Sequence, residues 1–250
     1  NRFNSIQIDG GVNNDLFGLG STGTPGGQSA AKAISLEAVK EFQVLIAPYD
    51  IRQGNFAGGL VNAVTQSGSN KFGGSVFGYL QNQDLVGKDI NAQQATDFRV
   101  LQYGGTLSGA IIKDKLQYFA AADIQERTIP FSGITLAESN ANIADVPRMI
   151  DHLNTLGAEQ WGGAGTAGDF TIENPNPTYF GKLTWAPAAN HNVSLSYNNV
   201  EASIDVLSRA RNGAYQLSSG AYSIENNSNS LRLIWSGVFS GKYSNEFIAG

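Results

Sequence analysis

Residues 193–198 read VSLSYN, and this run decides the fold class because apolar and polar side chains alternate along it. Its odd positions are apolar and its even positions are small or polar, which is the two-residue period of a β-strand that faces two environments. Residues 179–185 and 231–236 alternate in the same way, with Lys182 and Arg232 among the polar positions. The chain is therefore predicted to be mainly β.

The connections between the predicted strands come in two lengths that alternate along the chain. Short turns are expected at residues 112–115, 187–190 and 240–242, and long links at about 82–97, 127–176 and 202–226. In a closed barrel this alternation places tight turns on one rim and long loops on the other, as in outer-membrane barrels. Residues 69–250 are thus predicted to form about seven strands of a transmembrane antiparallel β-barrel.

Aromatic residues near the predicted strand ends favour a membrane position. They are Tyr118, Phe119, Trp185, Phe239 and Tyr243. An amphipathic ring is most stable where one end is in an apolar environment and the other is hydrated, so these residues are predicted to form an interfacial girdle. The alternative is that they are core aromatics of a soluble sandwich.

The N-terminal part of the chain has a different pattern, that of a small α+β unit. A short capped helix is predicted at residues 35–41, and strands follow at 42–46 and 60–65. A second helix is predicted at residues 146–157, within the longest link, because apolar residues recur there at helical spacing before a glycine. The fold class expected is therefore a partial β-barrel preceded by a small α+β segment.

Composition excludes several classes of function. The net charge is −5 and charged residues make up 15% of the chain, so there is no basic stripe to bind nucleic acid. Cysteine is absent, which excludes disulfides, thiolate metal sites and a cysteine nucleophile. The glycine-rich run at residues 18–27 lacks the lysine and the helix context of a phosphate-binding loop, and it is interpreted as a flexible loop.

Candidate catalytic residues are sparse. The only histidines, His152 and His191, offer little material for a triad or a zinc site. The carboxylate pairs that could support glycoside chemistry are Asp123 with Glu126 and Glu138 with Asp145. These are interpreted as solvated loop residues, so the chain is predicted not to be an enzyme and to need no metal or cofactor. The oxygen-rich run at residues 9–15 leaves calcium open as an alternative.

Several motifs resemble the TonB-dependent receptors, and in particular the Oar-like branch of that family. The motifs similar to the receptor plug domain are residues 8–12, 35–44, 47–54 and 58–68. Residues 103–119 resemble the first periplasmic hairpin of that branch. Residues 46–48 read IAP where many receptors have Arg-Gly-Pro, which favours a subfamily and gives no ground for carrying over siderophore or vitamin substrates.

The resemblance implies a fragment of a longer protein. Residues 1–68 would be the C-terminal part of the plug domain, and residues 69–250 the N-terminal part of the barrel. The implied function is TonB-dependent active transport of an unknown substrate across the outer membrane of a Gram-negative bacterium, with the plug gating the lumen. The implied partners are outer-membrane lipid, the substrate and the inner-membrane TonB energy complex, reached through an upstream segment, but not nucleic acid.

The resemblance also implies roles for individual residues. The predicted substrate contacts are Asn13, Asn14, Asp15 and Phe17. The residues predicted to serve plug structure or gating are Asp9, Gly10, Asp50, Arg52, Gly54, Gly58, Gly59 and Asn62. Glycines would permit positive φ and close backbone approach, and the charged residues would pair in a crowded polar lumen.

Two other classes remain open at this point. A non-transporting outer-membrane adhesion barrel would have the same strands but no plug, so packing of residues 35–68 inside the sheet would argue against it. A secreted β-sandwich that binds or hydrolyses glycans would not expose a continuous apolar band. The band that would argue against a sandwich consists of Val193, Leu195, Tyr197, Leu231, Leu233 and Trp235.

Overall fold

The computed structural model describes residues 4–18, 20, 22–46, 58–88, 90, 92, 94, 96–131, 145–168, 170–208, 210–211, 214–239, 241 and 243–250. Within these residues the chain forms a small four-stranded sheet, a large seven-stranded sheet and a short two-stranded pair. The small sheet comes first in the sequence, and it lies against one face of the large sheet.

The small sheet has the strand order β2-β1-β4-β3, with β1 and β4 parallel and the other pairs antiparallel. Its strands are β1 Ser5–Ile8, β2 Gly11–Val12, β3 Val39–Ile46 and β4 Gly59–Thr65. Asp9 and Gly10, both with positive φ, form the two-residue turn between β1 and β2. An Asp-Gly pair is well suited to such a turn because both residues tolerate the left-handed conformation.

The helix predicted at residues 35–41 is shorter than expected. The structure has one 3-10 turn at Leu36–Ala38, in which the Ser35 hydroxyl accepts a hydrogen bond from the Glu37 N–H at 3.3 Å. β3 then begins at Val39, which pairs with Thr65 of β4. Helix nucleation is costly over so few residues, so pairing with β4 outcompetes it.

The large sheet is antiparallel throughout, follows the order of the chain and is open, with β5 and β13 as its edges. Its strands are β5 Gly73–Asn82, β6 Arg99–Ile112, β7 Leu116–Pro130, β8 Thr171–Ala188, β9 His191–Val206, β12 Tyr222–Phe239 and β13 Tyr243–Ala249. The short pair consists of β10 Ala210–Arg211 and β11 Ala214–Tyr215, and the helix α1 is Val146–Trp161. We call the seven-stranded sheet the wall.

The alternation of short and long connections is present, but two long links are shorter than predicted. β7 continues to Pro130 and β8 begins at Thr171, while β9 and β12 pair as far as Val206 and Tyr222. The added strand residues are mostly polar, and such a composition predicts a loop. Backbone pairing with a neighbouring strand holds them in the sheet despite their low strand propensity.

The wall has two distinct faces, as the alternation predicts. We call the face covered by the small sheet the inner face, and the opposite face the outer face. Leu183, Leu195, Tyr197 and Leu231 are exposed on the outer face, and Lys182 is buried on the inner face. One girdle prediction is wrong, because Phe119 is inward and only 4% exposed.

The small sheet and the wall share an apolar core. Ile8, Ile34 and Ala38 of the N-terminal segment pack against Phe119, Ala121 and Phe180 of the wall. The Phe119 and Phe180 rings lie 6.2 Å apart in a tilted arrangement, which is favourable for aromatic pairs. We call residues 4–46 and 58–65, where described, the N-terminal unit. Among the described residues, no helix is long and apolar enough to cross a membrane.

Candidate functional site

The interface between the N-terminal unit and the wall contains a buried ion pair centred on Asp9. The Lys182 Nζ of β8 lies 3.0 Å from Asp9 Oδ2, and the exposed fractions of the two side chains are 9% and 6%. The same carboxylate accepts hydrogen bonds from the Thr65 N–H at 2.8 Å and the Thr65 hydroxyl at 2.6 Å. A carboxylate held by a cation and two donors is stable in a buried position.

A second ion pair has the opposite polarity, with the carboxylate on the wall. Asp123 of β7 is 2% exposed, and the Lys32 Nζ of the N-terminal unit lies 3.1 Å from its Oδ2. The Ser35 hydroxyl donates to Asp123 at 3.2 Å, and the Gln102 amide of β6 donates at 3.0 Å. Each side of the interface therefore contributes one anion and one cation.

Three wall asparagines bind the backbone of the N-terminal unit. The side-chain amide N–H groups of Asn174 and Asn176 on β8 donate to the carbonyls of Ser29 and Ala30, each at 2.9 Å. Asn198 on β9 donates to the Ala33 carbonyl at 3.0 Å. We call these three residues the asparagine strip. It satisfies carbonyl groups of a segment that belongs to neither sheet.

The predicted substrate contacts lie at one end of this interface. Asn14 Oδ1 accepts the Ile6 N–H at 2.8 Å, and the Asp15 carboxylate accepts the N–H groups of Phe17, Gly18 and Gly20 at 2.8 to 3.1 Å. Asp15 therefore shapes the loop, and the Asn13 N–H donates to the Ile6 carbonyl. Phe17 is 84% exposed.

Two cavities adjoin this loop. One, of about 280 Å³, lies between the loop and β12, and among its lining residues are Asp15, Phe17, Ser29 and Asn226. The other, of about 330 Å³, is lined by Asn4, Asn14, Asp15, Leu16, Phe17, Gly18 and Gly23. Asn14, Asp15 and Phe17 are thus brought together beside space for a ligand.

The predicted gating residues have mainly structural contacts where the structure describes them. The Gly10 N–H donates to Asn62 Oδ1 at 2.9 Å, and the Gly59 N–H donates to Asn4 Oδ1 at 3.1 Å. Gly58 is exposed just before β4. Asp50, Arg52 and Gly54 lie outside the described residues. Asp9 therefore has the most extensive contacts with the wall of this set.

Several residues that join the N-terminal unit to the wall are not identified as interface residues from the sequence. They are Lys32, Asp123, Asn174, Asn176, Lys182 and Asn198. Asp123 was considered only as a partner of Glu126, but the two lie on opposite faces of β7, since odd and even positions point to different sides. The available signal is the presence of charges and amides at the inner-face positions of otherwise regular strands.

The described residues offer few groups for catalysis. No three histidine, aspartate or glutamate side chains come together as a metal site among them. His191 stacks on Trp235 at the short-turn rim, with ring centroids 6.0 Å apart, and His152 lies on α1. The interface side chains hold the N-terminal unit on the wall through ion pairs and amide hydrogen bonds.

An open antiparallel wall, with exposed apolar residues on its outer face and buried charges and amides on its covered inner face, is typical of part of an outer-membrane β-barrel. A family of outer membrane beta barrel domains matches residues 64–216. The chain belongs to this family, which locates it in the outer membrane of a Gram-negative bacterium.

Relatives of known type agree with this assignment. The TonB-dependent transporter Oar of Myxococcus xanthus is 30% identical over 228 residues, covering 82% of this chain and 19% of Oar. The chain thus spans less than a fifth of the length of that curated relative, and its resemblance to TonB-dependent transporters of the Oar-like branch is confirmed.

Solved structures show the same fold. The outer membrane transporter YddB from Escherichia coli has a TM-score of 0.60 at 15% identity, covering 96% of this chain and 30% of its own. The siderophore receptor PirA from Acinetobacter baumannii has a TM-score of 0.60 at 17% identity, covering 99% of this chain and 31% of its own. These relatives are transporters and receptors by name, and the family assignment rules out the secreted β-sandwich.

Proposed function

We propose that this chain is part of a TonB-dependent transporter that moves a substrate across the outer membrane. Residues 1–68 act as the C-terminal part of a plug, and residues 69–250 as the first part of the barrel that surrounds it. The partners are outer-membrane lipid, an inner-membrane TonB energy complex reached through an upstream segment, and the transported substrate. No bond is made or broken by the protein in this scheme.

The observation that carries the proposal is the docking of the N-terminal unit on the inner face through two buried ion pairs. Asp9 with Lys182 and Lys32 with Asp123 each join the unit to the wall. Breaking a buried pair leaves an uncompensated charge, which costs about 3–5 kcal/mol. Such pairs hold a gate closed without energy input, and a pull on the unit can separate them one after the other.

Substrate is proposed to bind at the loop end of the interface. Asn13, Asn14, Asp15 and Phe17 lie there, and the exposed Phe17 ring and the two adjoining cavities support this placement. Asp9, Gly10, Gly58, Gly59 and Asn62 are proposed to maintain the unit that moves. Asp50, Arg52 and Gly54 remain predictions of the same kind.

Residues 1–250 contain no cysteine, so thiols introduced there can test gating directly once any cysteine elsewhere in the full-length protein has been replaced by serine. Ala38→Cys places a thiol at a position that is 0% exposed beneath the wall, and Leu36→Cys places one at a position that is 71% exposed in the same turn. In cells that produce the full-length protein, a membrane-impermeant maleimide should label Ala38→Cys faster when the protonmotive force is present than after a protonophore. Leu36→Cys should be labelled equally in both conditions.

Equal, slow labelling of Ala38→Cys with and without the protonmotive force would rule out energy-driven movement of the unit. That result would favour a barrel in which the unit is a permanent filling and no substrate is transported. The burial of Ile8, Ile34 and Ala38 against the wall supports a plug and is the reason for preferring transport.

A further inference from the structure

The asparagine strip has hydrogen-bonding capacity that the docked segment leaves unused. Asn176 and Asn198 are 2% and 6% exposed, and each donates one N–H to a carbonyl of the N-terminal unit. Their Oδ1 atoms have no hydrogen-bond partner among the described residues, and the same holds for the Thr178 hydroxyl beside them. Buried amides are normally satisfied at both atoms, so the strip fits a ligand that also supplies donors.

The segment that occupies the strip is recognised through its backbone. Residues 29–33 read SAAKA, and three of their carbonyls accept the asparagine N–H groups. The Ala31 side chain packs against Val200 and Ala202 of β9, and Lys32 reaches Asp123. Because most side chains of residues 29–33 are small, the wall recognises the backbone of this segment more than its sequence.

The chemistry of an asparagine side chain matches that of a peptide group. Both carry one carbonyl acceptor and N–H donors in one plane, so the two can pair through two parallel hydrogen bonds. Residues 29–33 bind only the side-chain N–H groups of Asn176 and Asn198, and not their Oδ1 atoms. A peptide that presents a carbonyl and an N–H to each side chain would use both halves.

We propose that the asparagine strip is a binding site for the backbone of an extended peptide, and that residues 29–33 occupy it when no peptide is bound. The inference rests on the proposed transport function and names the substrate class as peptides or unfolded polypeptide segments. The cavity of about 280 Å³ lined by Ser29 and Asn226 lies next to the strip and provides the approach. Displacement of residues 29–33 then exposes the strip.

Competition between the docked segment and the ligand has a measurable consequence. A substitution that weakens the docking of residues 29–33 but leaves the strip intact raises the fraction of molecules in which the strip is unoccupied. The apparent affinity for the peptide rises with that fraction. Lys32→Met removes the ion pair with Asp123, while Ser35 and Gln102 still donate to that carboxylate. This variant should therefore bind peptide more tightly, whereas loss of a ligand contact would weaken binding.

The test uses the purified full-length protein in detergent without an energy source. The probe is a fluorescent synthetic peptide with the sequence SAAKAIS, that of residues 29–35. The double variant Asn176→Ala, Asn198→Ala should weaken peptide binding at least about tenfold, because two hydrogen bonds and their acceptors are lost. The matched control, Asn199→Ala with Asn229→Ala, changes paired amides on the outer face of β9 and β12 and should leave binding unchanged.

Two competitors identify the ligand class. A version of the peptide with N-methylated amides lacks N–H donors and should compete at least about tenfold less well. Maltoheptaose, which has hydroxyl groups but no peptide groups, should not compete. Absence of peptide binding would overturn the assignment, as would displacement of the bound peptide by the saccharide. Peptide binding that the strip variant leaves unchanged would overturn it too.

A second measurement covers the case in which the strip variant does not fold. A peptide with a photoreactive group in place of the residue equivalent to Ala31 should cross-link the wild-type protein at Val200 or Ala202. Cross-links only elsewhere would reject the site. Because these assays need no energy, peptide binding without energised labelling of Ala38→Cys would contradict transport alone, and the reverse result would contradict the peptide site alone.

Discussion

Individual charges at the interface are arranged so that each buried ion has several partners. Asp9 is held by Lys182 and by two groups of Thr65, and Asp123 by Lys32, Ser35 and Gln102. Removing charges from water is costly, and the cost is offset only when geometry and additional hydrogen bonds are favourable. These residues therefore link the stability of the docked state to specific side chains.

Lys182→Met should undock the N-terminal unit more often, because it removes the ammonium group that lies 3.0 Å from the buried Asp9 carboxylate. The expected loss is about 3 kcal/mol, or roughly a hundredfold increase in the open population. The labelling rate of Ala38→Cys in the purified full-length protein measures that population. Arg148→Met is the control, since its pair with Asp145 is exposed and 3.8 Å long. Equal rates in both variants would show that the Asp9 pair does not hold the unit.

Gly68→Ala tests a close backbone approach where the chain passes from the N-terminal unit to the wall. A Cβ at Gly68 would overlap the backbone of Tyr118 on β7, which cannot move aside as a flexible side chain could. Overpacking of this kind costs about 1–3 kcal/mol. Thermal unfolding of the full-length protein should show the loss, and Gly87→Ala, with open space around it, should show none. An unchanged transition in Gly68→Ala would contradict the close approach.

At the level of strands, β8 and β9 separate beyond the pair Thr178 and Val200, toward the start of β8 and the end of β9. β8 continues along β7 to Thr171 and β9 continues along β12 to Val206, but β8 and β9 no longer pair with each other there. Pro175 and Pro177 lie in this part of β8, and proline has no N–H to donate to a ladder. A cavity of about 520 Å³ lies between the two arms.

Pro175→Val together with Pro177→Val should extend the β8–β9 ladder past Thr178. The restored N–H groups can then pair with the opposing residues Glu201 and Ser203. Hydrogen exchange at those two amides should slow at least about tenfold. The amides of Ala202 and Ile204, which alternate toward β12, are the internal control. Unchanged exchange at Glu201 and Ser203 would show that something other than the prolines separates the arms.

For the whole molecule, the main physical fact is that the wall is open. The two edge strands, β5 and β13, carry unpaired backbone groups, and the outer face carries exposed apolar residues such as Leu183, Leu195 and Leu231. In a closed barrel both edges would be paired, and lipid would cover the outer face. In the chain alone, the two edges have no partner strand and the apolar outer face is exposed.

The isolated chain of residues 1–250 is therefore expected to aggregate in water and to disperse in detergent. Light scattering during size-exclusion chromatography, with and without detergent, distinguishes the two states. The edge strands provide templates for pairing with other copies, and the apolar band adds non-specific association. A single monomeric peak without detergent would contradict a membrane-facing outer surface.

Much of the wall could be predicted from the sequence. The alternation at residues 193–198 and the short turns at 112–115 and 187–190 depend on local chemistry, and the strands and turns are present there. The girdle role of Phe119 was a wrong prediction, as was the loop character of residues 127–130, 171–176, 202–206 and 222–226. Phe119 packs on the N-terminal unit, and the polar strand ends pair with neighbouring strands. Local composition does not reveal such contacts between distant parts of the sequence.

The sequence by itself determined the period of the strands, the alternation of turns and the family, because these depend on neighbours along the chain. The tertiary structure alone decided which inward polar residues meet: Asp9 with Lys182, Lys32 with Asp123, and the asparagine strip with residues 29–33. These partners are separated by 91 to 173 positions in the sequence. Burial makes their pairing strong, and burial is a property of the packed molecule.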